Sequence, residues 1–436
     1  MKKRMSPLVL DAFAGAGGFS LGFQLAGCSI LGAIERDAWA SETFAFNHPH
    51  AKVFVTDIEQ LSDQEILQAF GDPRPSFIVG GPPCQGFSVC RRNSGDPSDP
   101  RNSLFEEFIR LGALLSPEFL VLENVPNLIK AQTASKEHVI DIICKELQSL
   151  GYSVEFKILE AVDYGVPQIR KRLFVVASRV NLSSSFPKPT HSLDLTKNLF
   201  SAPLRTPTLW EAISDLPQIA AGQGAEEMEY TEPSQNDYQA QMREGCIKIF
   251  NHKAMRHSKR IVERFSAMKC GESGSDVPAH LRPFSRNSNG EISEKVYDQN
   301  NRRMHADRPC HTIPAAFYAN FVHPFANRNF TPREGARLQS FPDWYVFKGK
   351  PTVVSQKLLA REERWDEKFL CQYSQIGNAV PPLMAKALAN HLLNQLQGRL
   401  DTHVRAWPES DSEREPSAQV QRPDLQEILA GNSFRV

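Results

Sequence analysis

Short apolar segments separated by stretches of helical pattern are the feature that most constrains the fold of this chain. They are 8–10, 29–34, 53–55, 77–79, 119–122 and 173–177. Strands that alternate with helices indicate an α/β fold built on a doubly wound parallel sheet. Polar or reactive residues stand at or just after the ends of these predicted strands, namely Asp11, Glu35, Asp57, Cys84 and Glu123. Because ligands of such sheets bind beyond the carboxyl ends of the strands, these residues predict the position of a site.

The chain has 436 residues, more than one compact domain usually contains. Its composition and hydrophobic periodicity change after the last of these segments. Residues 181–328 are rich in Ser, Pro, Asn and Gly without sustained periodicity, so we expect a second, irregular lobe there. Helical pattern returns over 329–396, and 397–436 has the composition of a mobile tail. Residues 241–308 carry 14 Lys and Arg against 8 Asp and Glu, a local basic excess that suits phosphate contacts.

Composition and cysteine usage narrow the class of protein. The formal net charge is zero, which disfavours a protein that coats DNA with a uniformly basic surface but is compatible with one basic cleft. The eight cysteines include no C-x-x-C pair, which predicts reduced thiols, no metal centre and a cytoplasmic enzyme. No segment has the length of a signal-peptide core or of a membrane span, so no membrane association is expected.

A glycine-rich turn, Ala-Gly-Ala-Gly-Gly at 14–18, follows the first predicted strand. Glycines allow a backbone to approach a ligand closely, but a dinucleotide-binding turn needs a third glycine where this chain has Ser20. Glu35 stands about 20 residues further on, where a carboxylate can accept from both ribose hydroxyls, and Asp57 could face an adenine amino group. These residues suit an adenosine ligand without a pyrophosphate. The alternative is a tight structural turn with no ligand.

Cys84 lies in the sequence Gly-Gly-Pro-Pro-Cys-Gln-Gly-Phe-Ser at 80–88. Two glycines and two prolines fix the backbone where a strand ends, which holds a nucleophile on a loop while leaving it exposed. A thiol needs a nearby cation or helix terminus to ionise at neutral pH. The frame therefore predicts a catalytic cysteine, against the alternative of one more buried thiol.

Glu123, Arg170 and Arg172 are the other candidates for chemistry. Glu123 ends the fifth predicted strand, and its alternative role is that of a surface ion-pair partner. Arg170 and Arg172 lie on the same side of an extended segment, where guanidinium groups could hold a phosphate or a pyrimidine carbonyl oxygen. Their alternative role is to protect an edge strand by charge.

These blocks resemble, in order, the motifs of the cytosine-C5 DNA methyltransferase family of bacterial restriction–modification type, over about 8–178 and 331–395. The blocks that carry the resemblance are the turn at 11–18, Glu35, Asp57, Gly-Pro-Pro-Cys84-Gln, Glu123-Asn124-Val125, Gln168-Ile-Arg170-Lys-Arg172, Arg308-Pro-Cys-His-Thr312-Ile313, Arg333-Glu334-Gly-Ala-Arg337-Leu338-Gln339 and Gln375-Ile-Gly377-Asn378-Ala-Val380-Pro381-Pro382. The resemblance implies a Rossmann-like methyltransferase sheet in a catalytic domain at 1–180, completed by 329–396. It also implies a target recognition domain at 181–328, before the tail at 397–436.

The resemblance further implies S-adenosylmethionine as the methyl donor, no metal, and site residues of two kinds. The implied catalytic residues are Cys84, Glu123, Arg170 and Arg172. The implied cofactor-binding residues are Phe13, Gly15, Gly17, Gly18, Glu35, Asp57, Ile58, Pro82, Asn378 and Val380.

The implied reaction is methylation of C5 of a cytosine flipped out of a specific double-stranded DNA sequence, with Cys84 attacking C6. The implied partners are that DNA and a cognate restriction endonuclease, with the enzyme itself a monomer. An RNA cytosine methyltransferase of the same fold is one alternative. The family resemblance implies a shorter recognition region for such enzymes than the segment 181–328 of this chain. A non-catalytic DNA-binding module would be expected to lose the nucleophile or cofactor blocks, which are intact. Ser20 disfavours a dehydrogenase.

Overall fold

The computed structural model describes residues 6–83, 104–133, 135–193, 204–285, 291–292, 301–352, 359, 361–364 and 369–405, with side chains up to 396. The chain divides into two units, Met1–Gln395 and Leu396–Val436. Among the residues that the structure describes, the first unit holds every strand and every helix except the end of the last one.

The strands, numbered along the chain, are β1 (Leu8–Ala12), β2 (Ser29–Glu35), β3 (Lys52–Val55), β4 (Phe77–Gly80), β5 (Phe119–Asn124), β6 (Ser153–Glu160), β7 (Gln168–Ile169), β8 (Lys171–Ser178), β9 (His191–Ser192), β10 (Leu204–Arg205), β11 (Gly224–Glu229), β12 (Lys248–Lys253), β13 (Arg302–Arg303), β14 (Cys310–His311) and β15 (Phe321–Val322). The helices are α1 (Gly18–Leu25), α2 (Ala38–Asn47), α3 (Asp63–Phe70), α4 (Leu104–Leu115), α5 (Val139–Ser149), α6 (Leu209–Ile213), α7 (Asp237–Arg243), α8 (Lys259–Ser266), α9 (Phe317–Asn320), α10 (Pro332–Leu338), α11 (Gln372–Asn378) and α12 (Pro382–Arg405).

A seven-stranded sheet with the order β3-β2-β1-β4-β5-β8-β6 forms the centre of the first unit. The strands β1 to β5 are parallel, and β8 runs antiparallel to both of its neighbours. The strand order reverses between β1 and β4, which is the switch point where doubly wound sheets bind ligands. The expected fold class is confirmed. The edge strand β6 was not expected, because polar residues interrupt its four apolar ones and leave no apolar run longer than two residues.

Side chains that alternate along the strands supply two cores. Leu10, Ile78 and Leu120 point to the face covered by α3, α4 and α5. Phe77 and Phe119 point to the opposite face, where their rings stack at 4.8 Å and Phe77 meets a ring of α1. This alternation is what buries a sheet on both faces, and it fixes which ends of the strands reach the site.

A separate core joins the segment 209–249 to the C-terminal segment. Side chains from α6, α7 and β12 pack there with others from α10 and α11. The guanidinium group of Arg337 lies at its centre, bonded to Asp215 at 3.0 Å and to Asp343 at 2.6 Å. A buried charge is tolerated only when it is paired, so Arg337 needs these carboxylates. The bond to Asp215 joins segments more than a hundred residues apart in the sequence.

The helix α12 packs against α1 at Gly22, where an added Cβ would lie only 2.3 Å from the Cβ of Ala385. The missing side chain at Gly22 therefore allows the C-terminal segment to approach the first helix closely. The helix α12 continues to Arg405, past residue 397 where we expected a tail, and 406–436 lie outside the described residues. Within the described part of the chain, no helix has the length and apolar character needed to cross a membrane.

Candidate active site

The turn after β1 has three glycines whose surroundings differ. Gly15 has φ +53°, and a Cβ added there would meet nothing within 4 Å. In contrast, a Cβ at Gly17 would lie 2.6 Å from the hydroxyl of Tyr345, and one at Gly18 would lie 2.4 Å from the carbonyl oxygen of Val380. Only Gly15 therefore faces open space, whereas Gly17 and Gly18 allow the turn to pack closely against the C-terminal segment.

Ser20 has a role that the sequence did not reveal. Its hydroxyl donates to Oδ2 of Asp11 at 2.6 Å, and its backbone N–H donates to the same oxygen at 3.2 Å. Burial raises the pKa of Asp11 to about 7, although both bonds from Ser20 act in the opposite direction. The residue that replaces the third glycine of a dinucleotide turn thus anchors the last polar side chain of β1.

Glu35 and Asp57 lie where the sequence predicted them, at the carboxyl ends of β2 and β3. The two carboxylate oxygens of Glu35 accept hydrogen bonds from the backbone N–H groups of Gly15 and Asp37, both at 2.8 Å. Burial raises the pKa of Glu35, and these two bonds oppose the shift. Asp57 begins the short 3₁₀ helix Ile58–Gln60 and forms an ion pair of 3.3 Å with Arg36. Each carboxylate oxygen of Glu35 has a second lone pair for a ligand.

A cavity of about 860 Å³ opens at the switch point. Small-molecule sites commonly measure about 300–1,000 Å³, so its size fits a nucleoside-sized ligand. Its walls come from the carboxyl ends of the central strands and from the segment 369–380. The predicted site residues that line it are Phe13, Gly15, Gly18, Glu35, Asp57, Ile58, Pro82, Glu123, Arg170, Arg172, Asn378 and Val380. Gly17 lies outside this lining, and Cys84 lies outside the described residues.

The cavity has the features that an adenosyl group requires. The open space at Gly15 would be narrowed by any side chain, and the carboxylate of Glu35 provides acceptors for a pair of hydroxyl groups. Asp57 provides a further acceptor on the same wall. No cluster of His, Cys, Asp and Glu that could hold a metal ion occurs among the described residues.

Glu123 and Arg172 form an ion pair at the other end of the cavity. The distance from Nε of Arg172 to Oε1 of Glu123 is 2.9 Å, and the side chains are 15% and 12% exposed, respectively. Burial raises the pKa of Glu123, while Arg172 and Arg170 act to lower it. A Cβ at Gly81 would lie 3.1 Å from Oε2 of Glu123, so the pair lies directly beside the loop that leads to Cys84.

Asn124 holds the same loop from the next position of β5. Its side-chain N–H donates to the carbonyl oxygen of Pro82 at 3.0 Å, and its Oδ1 accepts from the N–H of Val125 at 2.9 Å. Pro82 precedes Cys84 by two residues. The sequence contained Asn124 in a recognisable block but gave no sign of this contact, because the partner is 42 residues away.

Arg170 differs from Arg172 in what surrounds its guanidinium group. It is 1% exposed and donates to the backbone carbonyl oxygens of Ile313, Gly377 and Ala379 at 3.1–3.2 Å. Burial, and to a lesser degree Arg172, lowers its pKa. Gln168, just before it, donates to Gln339 at 2.8 Å and accepts from the N–H of Ile313 at 2.9 Å. The contacts of Arg170 therefore join three chain segments at the wall of the cavity.

A doubly wound sheet whose switch-point cavity is lined by a buried acid–guanidinium pair has the architecture of a Rossmann-like methyltransferase, the fold it shares with solved methyltransferases. The family model of the C-5 cytosine-specific DNA methylases matches residues 8–394, and the chain belongs to this family. It is thus a DNA cytosine-C5 methyltransferase, which confirms the class of enzyme and the family expected from the motifs.

Relatives of similar length support this assignment. The chain is 45% identical to the type II methyltransferase M.DdeI of Desulfomicrobium norvegicum over 88% of each chain. It is 33% identical to the type II methyltransferase M1.HphI of Haemophilus parahaemolyticus, over 89% of this chain and 87% of that one. A solved structure described as a prophage-encoded DNA modification methyltransferase from E. coli matches with a TM-score of 0.66 and 26% identity, covering 90% of this chain and all of that one. The S. pombe Dnmt2 methyltransferase, with a TM-score of 0.51 and 15% identity over 91% of this chain and 99% of that one, shares the fold.

Proposed function

We propose that this enzyme uses S-adenosylmethionine to methylate C5 of a cytosine within one specific double-stranded DNA sequence, as the modification partner of a restriction endonuclease. The observation that carries the proposal is the shared cavity. One end has Gly15 and the carboxylate of Glu35, and the other has the Glu123–Arg172 pair beside the loop that leads to Cys84. Relatives named as type II methyltransferases support the link to restriction.

The cofactor end binds the adenosyl group. S-adenosylmethionine supplies an electrophilic methyl group when bound. The carboxylate of Glu35 accepts from the ribose hydroxyls, and Asp57 with Ile58 contacts the adenine. The remaining contacts surround these three and come from Phe13, Gly15, Gly18, Pro82, Asn378 and Val380. Gly17 lies outside the cavity lining and contributes by allowing the turn to pack closely against Tyr345.

The catalytic end activates the base. The thiolate of Cys84 adds to C6 of a flipped-out cytosine, which makes C5 nucleophilic. Glu123 donates a proton or a hydrogen bond to N3, so that negative charge does not accumulate on the ring. Arg172 holds Glu123 and contacts the O2 side of the base, and Arg170 positions this strand through its three carbonyl contacts. C5 then accepts the methyl group, and S-adenosylhomocysteine is left as the product of the donor. Loss of the C5 proton to water expels the Cys84 thiolate and restores the C5–C6 double bond, while the N3 proton returns to Glu123.

The cofactor and catalytic ends of the cavity assign a role to each segment of the chain. Residues 1–180 and 329–396 form the catalytic domain, 181–328 form the target recognition domain, and 397–436 are a tail. The basic excess of 241–308 contacts DNA phosphates, while a few side chains of the same segment read the bases. The enzyme acts as a monomer in the cytoplasm, a location supported by its DNA substrate and by the free thiols among its described cysteines.

Bisulfite sequencing of DNA and RNA from cells that express this enzyme tests the proposal. We expect 5-methylcytosine at one DNA sequence, and none in cells that express the Cys84→Ala variant at equal levels. Methylation confined to RNA would favour the alternative substrate. Absence of methylation from every DNA context would contradict the proposal.

Trapping with 5-fluorocytosine DNA tests the nucleophile separately. Fluorine at C5 cannot leave as a proton does, so the covalent adduct through Cys84 should persist during denaturing electrophoresis. An adduct of equal yield with Cys84→Ala would mean that another residue is the nucleophile.

A further inference from the structure

Tyr345 reaches the glycine turn from the C-terminal segment. It is fully buried, and its hydroxyl donates a hydrogen bond of 2.5 Å to the carbonyl oxygen of Ala16. The two residues are 329 positions apart in the sequence. Its ring packs against Phe341 at 5.0 Å, so the tyrosine itself has little freedom to move.

This bond fixes a whole peptide plane. The carbonyl of Ala16 and the N–H of Gly17 belong to one planar peptide group. Tyr345 binds the carbonyl, and the carbonyl oxygen of Ala14 accepts from the N–H of Gly17 at 2.9 Å. The bond between Ala14 and Gly17 closes a turn with Gly15 and Ala16 at its centre, and Tyr345 holds the far end of that turn, so the conformation of Gly15 is constrained where the turn faces the cavity.

His48 supports the hydroxyl from the end of α2. Its Nε2 lies 3.3 Å from the hydroxyl oxygen of Tyr345. A tyrosine has one hydroxyl proton, and the carbonyl of Ala16 can only accept it, so Nε2 of His48 is the donor to Tyr345. Burial lowers the pKa of His48 to about 4, which keeps the ring neutral. Gly17 completes the arrangement, because a Cβ there would lie 2.6 Å from the same hydroxyl.

We propose that Tyr345 is a positioning residue for cofactor binding, which holds the turn at 14–18 in its binding conformation through the carbonyl of Ala16. The inference rests on the proposed function, since it assumes that this turn contacts the adenosyl ligand. Tyr345 itself lies behind the turn and does not line the cavity.

The test is the affinity of the full-length Tyr345→Phe variant for S-adenosylhomocysteine, measured by calorimetry in the absence of DNA. We expect binding to weaken about fivefold, the size expected for one lost hydrogen bond between neutral groups. In steady-state assays the KM for S-adenosylmethionine should rise by a similar factor, with kcat within about twofold, because no group at the reacting atoms has changed. The affinity for DNA should stay the same.

Tyr373→Phe is the matched control. Tyr373 is also fully buried, and its hydroxyl donates to a backbone carbonyl, that of Phe330, at 2.8 Å. Both substitutions should lower the thermal midpoint, but only Tyr345→Phe should weaken S-adenosylhomocysteine binding. Equal binding by both variants, whether normal or weakened, would overturn the inference and leave the proposed function intact. Failure of the unchanged enzyme to bind S-adenosylhomocysteine would instead overturn the proposed cofactor site.

A second variant addresses the case in which Tyr345→Phe does not fold. His48→Leu removes the donor that orients the hydroxyl of Tyr345, and so should weaken its bond to Ala16 without changing the tyrosine itself. Weaker binding by about twofold is expected, and unchanged binding in a folded His48→Leu protein would count against the proposed role of Tyr345.

Discussion

The side chains of Glu123 and Arg172 meet across the antiparallel strands β5 and β8, with Nε of Arg172 2.9 Å from Oε1 of Glu123. Burial favours the protonated carboxyl, and the neighbouring guanidinium group favours the carboxylate. These opposed effects suit a group that holds a proton and releases it again during one reaction cycle. The pair is therefore the first target for substitution.

Glu123→Gln should reduce kcat by about 10²–10⁴-fold, because the amide can neither transfer a proton to N3 nor take one back. Its size is almost unchanged, so the affinity for DNA should fall by less than about tenfold. Single-turnover methylation and an equilibrium DNA-binding assay separate these two effects. Near-normal turnover would remove Glu123 from the chemistry.

The two arginines of the strand should give opposite results when each is changed to Met. Arg170→Met removes a donor from three buried carbonyl groups, of which Ala379 keeps a long contact of 3.5 Å from Gln339, so we expect unfolding to become easier by about 3 kcal/mol. Arg172→Met should cost less stability but lower kcat by at least about tenfold, because the partner of Glu123 is lost. Chemical denaturation and turnover measured on both variants check this contrast. A larger stability loss for Arg172→Met would reverse the assignment.

Asn124→Asp should slow formation of the covalent adduct with 5-fluorocytosine DNA. Aspartate keeps the oxygen that accepts from Val125 but lacks the N–H that donates to Pro82. The loop before Cys84 should then lose one anchor, and the trapping rate should fall about tenfold while S-adenosylhomocysteine binding is retained. An unchanged trapping rate would show that the Pro82 contact does not position the nucleophile.

Asp11 should make stability depend on pH. Burial raises its pKa to about 7 in the folded enzyme from an ordinary value of 3.8, so folding takes up a proton between these values. Its contribution to stability is therefore present at pH 4 and is lost as the pH rises to about 7. Compared with Asp11→Asn, which mimics the protonated acid, the wild type should lose thermal stability between pH 4 and pH 7. A difference between the two melting temperatures that does not vary with pH would contradict the raised pKa.

The strands β1 to β5 and β8 were predictable because each contains a short apolar run, and Glu35, Asp57 and Glu123 were predictable because they lie at or just after the ends of such runs. The edge strand β6 was not predicted because polar residues alternate with its apolar ones, so it contains no apolar run longer than two residues. The antiparallel direction of β8 was not predicted either, since a local pattern carries no information on whether neighbouring strands run parallel.

Long-range partners explain why other roles were not predictable. Arg170 and Arg172 look alike in the sequence. In the structure, only the guanidinium group of Arg170 donates to backbone carbonyl oxygens 143 or more residues away. Gly15, Gly17 and Gly18 form one motif, but Tyr345 and Val380 approach only the last two. Such differences depend on how distant segments pack, which no local pattern encodes.

The walls of the cavity come from residues 11–58 near the start of the sequence and from 369–380 much later in it. The ribosome synthesises the residues of the first wall long before those of the second. A chain that ends before about residue 369 therefore lacks one wall of the cavity and should not methylate DNA. The delay between synthesis of the first wall and completion of the cavity includes translation of all the residues between 58 and 369.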